Sequence, residues 1–261
     1  HVDVKKIDPK FHNCTKDLKE FNPDVIFICV PTPMKDDGEQ NISIVIDVLK
    51  EIKKLKTQAL IVIKSTIHPG NILKLDKDFP GFIYNPEFLR EDYASIDFIN
   101  SNLIIFGGDK KLSNKLGSIY SKYTKCICED YIFTDLISSS LIKYTINSFL
   151  ATKVVFFNEM NQLFKSYNTN VSWEKFITYV AKDERIGKSH MLVPGPDGRN
   201  GFGGACFPKD TNALVKHAKE IGVELNLLES AIKINNKIRK SYNIVTDREA
   251  EQNIKYNLKE E

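Results

Sequence analysis

The ten residues GFGGACFPKD (201–210) bring together a thiol, an amine, a carboxylate and three glycines. Pro208 suits the first turn of a helix, so Cys206 would lie near a helix N-terminus, where the dipole and the free N–H groups favour a thiolate. Glycines would let another molecule approach the backbone closely. A structural interpretation is equally open from these residues alone: a tight turn, a buried cysteine and a helix that begins at the proline. Asp210 would then be an ordinary acid in the first helical turn.

A second polar pair lies in the segment 135–167, which keeps helical periodicity without a Gly or Pro and predicts one continuous helix. Lys143 and Asn147 are four residues apart, so they share one face of that helix. An ammonium group and an amide side by side on a largely apolar helix can stabilise a developing oxyanion. The alternative is an exposed polar pair without a catalytic role.

Two carboxylates have the same spacing in NPEFLRE (85–91), where Glu87 and Glu91 are four residues apart. Pro86 could begin a helix there, and acids are common in a first helical turn. The pattern therefore allows either a pair of active-site carboxylates or ordinary N-terminal acids.

Asp8 ends the strand-like segment HVDVKKID at the start of the chain. In a dinucleotide-binding fold, an acid at such a position binds the ribose hydroxyls about 20 residues after a Gly-rich turn. No G-x-G-x-x-G precedes Asp8 in this sequence, so a surface acid is the alternative. If the acid does bind ribose, it favours NAD over NADP, whose 2′-phosphate would meet a like charge.

Composition restricts the class of protein. The 261 residues are 42% hydrophobic and 27% charged with a formal net charge of +3, which is typical of a soluble globular protein. Acids are interleaved with the lysines, so we expect no nucleic-acid partner, and no apolar run reaches the roughly 20 residues that span a membrane. Five cysteines without a signal peptide predict reduced thiols and a cytoplasmic protein. The five histidines have no metal-binding spacing, so we expect no metal site.

Strand and helix patterns alternate in the first half of the chain, which predicts a parallel sheet covered on both faces. The predicted strands are 24–30, 59–64, 81–85, 102–108 and the alternating segment 126–133; the predicted helices are 42–55, 110–123, 135–167, 172–183, 208–221 and about 226–243. We expect an α/β domain over 1–133, an all-helical domain over 134–245 and a polar tail over 246–261 that frays.

Five stretches occur in a fixed order along the chain: VPTP (30–33), IKSTIHPG (63–70), NPEFLRE (85–91), LIKYTINSFLATKVVFFNEM (141–160) and GFGGACFPKD (201–210). Together they resemble the UDP-glucose/GDP-mannose dehydrogenase family from residue 1 to about 245. The resemblance implies a Rossmann-like NAD-binding domain, here without its first strand and Gly-rich turn, followed by a helical domain with a long central helix that forms a homodimer. It also implies a role in polysaccharide biosynthesis.

The same resemblance implies a reaction: the C6 alcohol of a nucleotide sugar, UDP-glucose first, is oxidised to the carboxylate in two NAD-dependent hydride transfers. Cys206 would hold the aldehyde as a thiohemiacetal and then as a thioester, which water hydrolyses. The implied catalytic residues are Cys206, Lys143, Asn147, Asp210, Glu91, Glu87 and Thr66; the cofactor contacts are Asp8, Thr32, Thr66, Glu91 and Lys209; the substrate contacts are Phe88, Leu89, Lys143, Asn147, Gly203 and Gly204. Glu91 is the candidate base for hydrolysis, and Thr66 and Asp210 are candidates to bind the water.

Other functions stay open from the sequence. Within the family, the substrate could be GDP-mannose or a UDP-N-acetylhexosamine. A β-hydroxyacid dehydrogenase shares the layout but would not need Cys206. Because the chain lacks the family's Gly-rich segment and its C-terminal nucleotide-sugar domain, a non-catalytic, dimerising relic is a further alternative, and we expect NAD to bind more weakly than to a chain with the Gly-rich segment restored.

Overall fold

The computed structural model describes residues 2–242 and 244–256, apart from the side chain of Glu91. The chain divides into two compact units. Unit 1 contains the residues as far as Thr32 together with Asn41–Lys143, and unit 2 contains Pro33–Gln40 and the residues from Tyr144 onwards.

Unit 1 is built, in the part of the chain that the structure describes, on a five-stranded sheet whose strands lie in chain order. The strands are β1 Val25–Ile28, β2 Leu60–Ile63, β3 Ile83–Tyr84, β4 Ile105–Gly107 and β5 Ile132–Thr134. The α/β fold class is confirmed, but the wholly parallel sheet is wrong at one place, since β4 runs antiparallel to β3. The connection between these two strands contains only a 3-10 turn and one short α-helix, and a parallel return usually contains a full crossover helix.

The helices of unit 1 are α1 Leu18–Phe21, α2 Ser43–Leu55, α3 Pro69–Asp78, α4 Ala94–Ile99 and α5 Lys110–Tyr123. The sequence patterns predicted α2 and α5 but not the other three. Neighbouring residues of β2 enter different apolar clusters: Ile63 packs in one that includes Leu75 of α3, and Val62 packs in the other with Leu116 of α5. Both faces of the sheet are therefore covered, as the apolar strand sequences predict.

Two predicted strand segments differ from the structure. Residues 2–7, expected to be strand-like, have no regular secondary structure and are mostly exposed. An extended segment needs a neighbouring strand for its backbone hydrogen bonds, and in the described sheet β1 pairs only with β2. The predicted strand 126–133 is reduced to β5, although Cys128 still packs in an apolar cluster.

Helix α6, Leu136–Lys165, is a single helix of 30 residues, which confirms the prediction of one continuous helix. Its residues up to Lys143 belong to unit 1 and the later ones to unit 2. The remaining helices of unit 2 are α7 Trp173–Val180, α8 Phe207–Glu220, α9 Asn226–Arg239 and α10 Asp247–Glu251. Among residues 2–242 and 244–256, no helix combines the length and apolar character that crossing a membrane requires.

Unit 2 has two apolar clusters. One joins α6 to α9 and includes Val155, Phe202 and Leu228, and the other joins α6 to α7 around Trp173. The tail was expected to fray, but α10 forms within it and Glu249 is fully buried. Polar composition did not reveal this anchoring, because two partners of Glu249, Arg199 and Gly204, lie far away in the sequence.

Candidate active site

Lys143 of α6 is buried, with 4% of its surface exposed, so the exposed-pair interpretation is wrong for this residue. Its Nζ donates a hydrogen bond to the backbone carbonyl of Glu87 and lies 3.9 Å from Oε1 of the same residue. The ammonium group also lies 5.0 Å from the ring centre of Phe88. Two predicted site residues of unit 1, Glu87 and Phe88, therefore lie against the buried cation of a third, Lys143.

The NPEFLRE segment does not form the helix that Pro86 suggested, since residues 85–90 have no regular secondary structure. The carboxylate of Glu87 accepts a hydrogen bond of 2.7 Å from the backbone N–H of Leu89. Glu91 begins a short 3-10 turn that ends at Tyr93, and its side chain lies outside the described residues. The helical i, i+4 relation between Glu87 and Glu91 is thus wrong, since the residues from Asn85 to Arg90 are irregular.

Asn85 holds this irregular segment in place. Its Nδ2 donates to the carbonyl of Ile105 at 2.8 Å, and its Oδ1 accepts from Tyr120 and from Nζ of Lys64 at 2.5 and 2.9 Å. The sheet therefore fixes the backbone on which Glu87 and its neighbours lie.

Lys64 is a residue that the sequence interpretation missed. Burial lowers the pKa of its ammonium group; Cys29 and Glu87 act in the opposite direction, and the positive charge of Lys143 adds a smaller lowering effect. The available signal was a lysine that ends the otherwise apolar strand pattern ALIVIK. The charges of Lys143 and Glu87 therefore both act on the ammonium group of Lys64.

The carboxyl ends of β1 and β2 carry the two predicted threonines. Thr32 is buried and donates a hydrogen bond of 2.9 Å to the carbonyl of Thr66. Open α/β sheets bind ligands at this end of their parallel strands. Asp8 makes a local contact instead. Its carboxylate accepts a hydrogen bond from the N–H of Lys10 and caps the short turn Pro9–Phe11.

Cys206 of unit 2 is the N-cap residue of α8, and Pro208 lies in the first turn of that helix. This confirms the predicted position of the thiol at a helix N-terminus. The cysteine is exposed rather than buried, so the structural interpretation of a buried cysteine is wrong. The N–H of Asp210 donates to the carbonyl of Cys206 at 2.9 Å, which is the first helical hydrogen bond.

Asp210 lies one helical turn after Cys206 in α8 and is almost completely buried, with 1% of its surface exposed. Its Oδ2 accepts from Nδ2 of Asn147 at 2.7 Å and its Oδ1 from Nζ of Lys209 at 2.6 Å. Asn147 and Lys209 are themselves buried. Lys209 is therefore not a surface lysine, and the predicted residues of unit 2 form one hydrogen-bonded network beside the N-terminus of α8.

Packing and backbone conformation within the protein explain why glycines occupy positions in this loop. A Cβ at Gly201 would lie 2.5 Å from Oδ1 of Asn235, and one at Gly203 would lie 2.7 Å from Cζ of Arg239. Gly204 has a φ of +75° and open space around its Cα. Close packing thus accounts for the first two glycines, and only Gly204 combines a conformation suited to glycine with room for another molecule.

Within the described residues, no three His, Cys, Asp or Glu side chains are grouped in a way that could hold a metal ion.

Residues 4–124 match the model of the UDP-glucose/GDP-mannose dehydrogenase family NAD binding domain, and residues 137–237 match the model of the family's central domain. The chain belongs to this family. The family assignment agrees with the five ordered motifs and with the α/β fold of unit 1.

Among curated proteins, UDP-glucose 6-dehydrogenase of Rickettsia prowazekii is 40% identical over 229 residues, which cover 84% of this chain and 50% of the relative. UDP-glucose 6-dehydrogenase YwqF of Bacillus subtilis is 37% identical over 224 residues, which cover 82% of this chain and 48% of the relative. The chain thus spans about half the length of the curated relatives it matches.

A solved UDP-glucose dehydrogenase structure from Pyrobaculum islandicum superposes with a TM-score of 0.73 at 27% identity, covering 87% of this chain and 54% of that one. A ternary complex of a GDP-mannose dehydrogenase from Pseudomonas aeruginosa gives a TM-score of 0.58 at 29% identity, covering 87% and 55%. The fold of this family member is thus similar to that of solved dehydrogenases of two substrate types.

Proposed function

We propose that this family member takes part in the NAD-dependent oxidation of a nucleotide-sugar C6 alcohol to the carboxylate, with UDP-glucose as the first candidate substrate and UDP-glucuronate as the product. The observation that carries the proposal is the exposed thiol of Cys206 at the N-terminus of α8, one turn from a buried Asp210 that Asn147 and Lys209 hold in place. The relatives whose names specify UDP-glucose support the choice of substrate.

The first step removes a hydride and a proton from the alcohol and leaves an aldehyde. NAD, when bound, accepts one hydride in each of the two oxidations. Lys143 would stabilise the negative charge that develops on the sugar oxygen, since it is a buried cation with few competing waters. Glu87 would orient that ammonium group through the contacts of its carbonyl and carboxylate.

The second step needs a tetrahedral carbon from which another hydride can leave. The Cys206 thiolate would add to the aldehyde carbon to form a thiohemiacetal, and loss of the second hydride from this adduct would leave a thioester. The N-terminal turn of α8 favours the thiolate through its dipole and free N–H groups. A helix N-cap position is therefore suited to the required nucleophile.

Water then hydrolyses the thioester, which releases the carboxylate and restores the thiol. Asp210 would bind and orient that water, with Asn147 and Lys209 holding its carboxylate in place. Thr66 remains a second candidate to bind the water, and Glu91 remains the candidate base. Thr32, Thr66, Lys209 and Glu91 would contact NAD, Asp8 its ribose, and Phe88, Leu89, Gly203 and Gly204 the substrate.

Two other functions are less well supported. A β-hydroxyacid dehydrogenase would not need a thiol at the N-terminus of α8. A non-catalytic relic would have no reason to keep Asp210 buried with two donors, because an unused buried carboxylate reduces stability. GDP-mannose or a UDP-N-acetylhexosamine remain the alternative substrates within the family.

We also propose that the protein forms a homodimer through α6. Phe149, Phe156 and Leu163 are 64%, 54% and 50% exposed and recur every seven residues, which is the spacing of a helix–helix contact. An apolar stripe of this kind usually marks an interface. The proposed enzyme would act in the cytoplasm and provide a uronate for polysaccharide synthesis.

The test replaces Cys206 by serine and uses Cys14→Ser as a control, because Cys14 is also exposed but lies far from Cys206 in the sequence. Both variants and the parent chain are expressed together with any coding sequence that lies upstream of His1. We expect Cys206→Ser to lose production of UDP-glucuronate by about 100-fold or more, since a hydroxyl is a much poorer nucleophile than a thiolate. NADH and uronate are both quantified. Two NADH per carboxylate at a near-parental rate in Cys206→Ser would contradict covalent catalysis.

A further inference from the structure

Glu249 of α10 is a carboxylate without exposed surface, in a segment that lies beyond the matched central domain. Its oxygens accept hydrogen bonds from Nη2 of Arg199 at 3.2 and 3.1 Å, from the hydroxyl of Tyr256 at 2.7 Å and from the N–H of Thr246 at 2.9 Å. A buried charge is stable only when it is paired and hydrogen-bonded in this way. Arg199 and these hydrogen bonds hold the pKa of Glu249 well below its usual range although burial alone would raise it.

One further donor connects this carboxylate to the thiol loop. The backbone N–H of Gly204 lies 3.2 Å from Oε1 of Glu249. Gly204 has a left-handed φ of +75° and precedes Cys206 by two residues, a distance that the chain spans within about 7 Å. The orientation of this peptide group therefore influences where the thiol is presented.

The other end of the same loop is fixed by Arg239. Its guanidinium donates to the carbonyl of Gly201 and to Asp197, in both cases at 2.7 Å. Arg199 also contacts Asp197, at 3.0 Å. Two buried cations and two carboxylates thus form one neutral network that contacts the loop at Gly201 and Gly204, and Glu249 is the member that comes from the tail.

We propose that Glu249 is a positioning residue for Cys206: it binds the Gly204 amide and Arg199, and so fixes the loop that presents the thiol at the N-terminus of α8. This inference rests on the proposed function of Cys206. It differs from a role in stability alone, because it requires that the properties of the Cys206 thiol depend on a residue that makes no catalytic contact.

The experiment compares Glu249→Gln with Glu251→Gln in the 261-residue chain without NAD or substrate. Glu251 lies on the same short helix, but its carboxylate is exposed and pairs with Arg248. Two quantities are measured by mass spectrometry: amide hydrogen exchange in a peptide containing residues 201–206, and the pH profile of alkylation of Cys206 by iodoacetamide. Cys14 is an internal reference for the reagent, because it is exposed and belongs to unit 1.

We expect Glu249→Gln to speed exchange in this peptide about tenfold, because a hydrogen bond to a charged acceptor is lost. The midpoint of the alkylation profile of Cys206 should move to higher pH, since the thiol no longer has a fixed place at the helix N-terminus. Cys14 should not change, and Glu251→Gln should behave as the parent chain does. An unchanged midpoint would overturn the proposal. A lower midpoint would also overturn it, because the loss of a nearby negative charge by itself moves the midpoint downwards.

Tyr256→Phe provides a milder variant if Glu249→Gln does not fold, as judged by circular dichroism. It removes one hydrogen bond to Glu249 and keeps the charge. We expect a shift of the Cys206 midpoint in the same direction and about threefold faster exchange; no change in either quantity would overturn the proposal. None of these measurements depends on turnover, so failure of the positioning role is distinguishable from failure of the proposed reaction.

Discussion

Nδ2 of Asn147 lies 2.7 Å from Oδ2 of Asp210, and both side chains are buried. The contact joins α6 to the first turn of α8 within unit 2. It places a neutral donor against a carboxylate that Lys209 also holds. The free energy of unfolding of the protein and the orientation of the Asp210 carboxylate should therefore both depend on the side-chain amide of Asn147.

Asn147→Leu should destabilise the protein by about 1–3 kcal/mol, because the buried carboxylate loses a hydrogen bond to its Oδ2. Thr145→Ala is the matched control, since Thr145 is an exposed residue of the same helix. The free energy of unfolding is measured by urea denaturation at pH 7. Equal free energies for Asn147→Leu and the parent chain would mean that the amide contributes nothing to holding Asp210.

Lys143→Met should lower kcat by about 10²–10³-fold if the ammonium group stabilises the developing oxyanion. Lys165→Met is the control, because Lys165 is exposed in the last turn of the same helix. The rate of NADH formation is measured over a range of UDP-glucose concentrations. A rise in KM with an unchanged kcat would instead assign Lys143 to substrate binding alone.

Phe156→Glu should convert a dimer into a monomer, because a charge placed in an apolar helix–helix contact must be desolvated without a partner. Leu227→Glu serves as the comparison, since Leu227 is 74% exposed but lies on α9. Sedimentation equilibrium at micromolar concentration gives the mass of each variant. A parent chain that is already monomeric under these conditions would rule out the dimer through α6.

Because of Glu249, the free energy of unfolding of the protein should decrease at acid pH. Its pKa is lowered to about 2 from the ordinary 4.5, so its contribution is fully present above the unfolded pKa and is lost as pH falls from about 4.5 towards 2. The groups that face it are Arg199, Tyr256 and, through Arg199, Asp197. The pKa of Asp197 is also lowered, so the parent chain loses stability through both acids.

The measurement is the difference in unfolding free energy between the parent chain and Glu249→Gln, at pH 7, 4.5 and about 3.5. This difference should be largest at pH 7 and shrink as the pH falls, whereas Glu251→Gln should differ little from the parent at any pH because its ion pair is exposed. A difference that stays constant with pH would show that Glu249 contributes through packing and not through its charge.

The sequence by itself determined several local features. Apolar runs located β1 and β2, and uninterrupted periodicity located α6 as one helix. Pro208 after Cys206 placed the thiol at the beginning of α8. Each of these features depends on residues close together in the chain, through helical periodicity, helix capping or the fixed geometry of proline. The order of the five motifs then identified the family.

Only the tertiary structure decided the remaining features. Lys143 is buried because Glu87, far away in the sequence, accepts from its ammonium group, and Pro86 begins no helix because its neighbour Asn85 is bound to the sheet. Glu249 is ordered because Arg199 and Gly204 meet it across some fifty residues. In each case the free energy comes from a long-range polar contact made in a buried environment, and neither composition nor periodicity records which distant residue provides the partner.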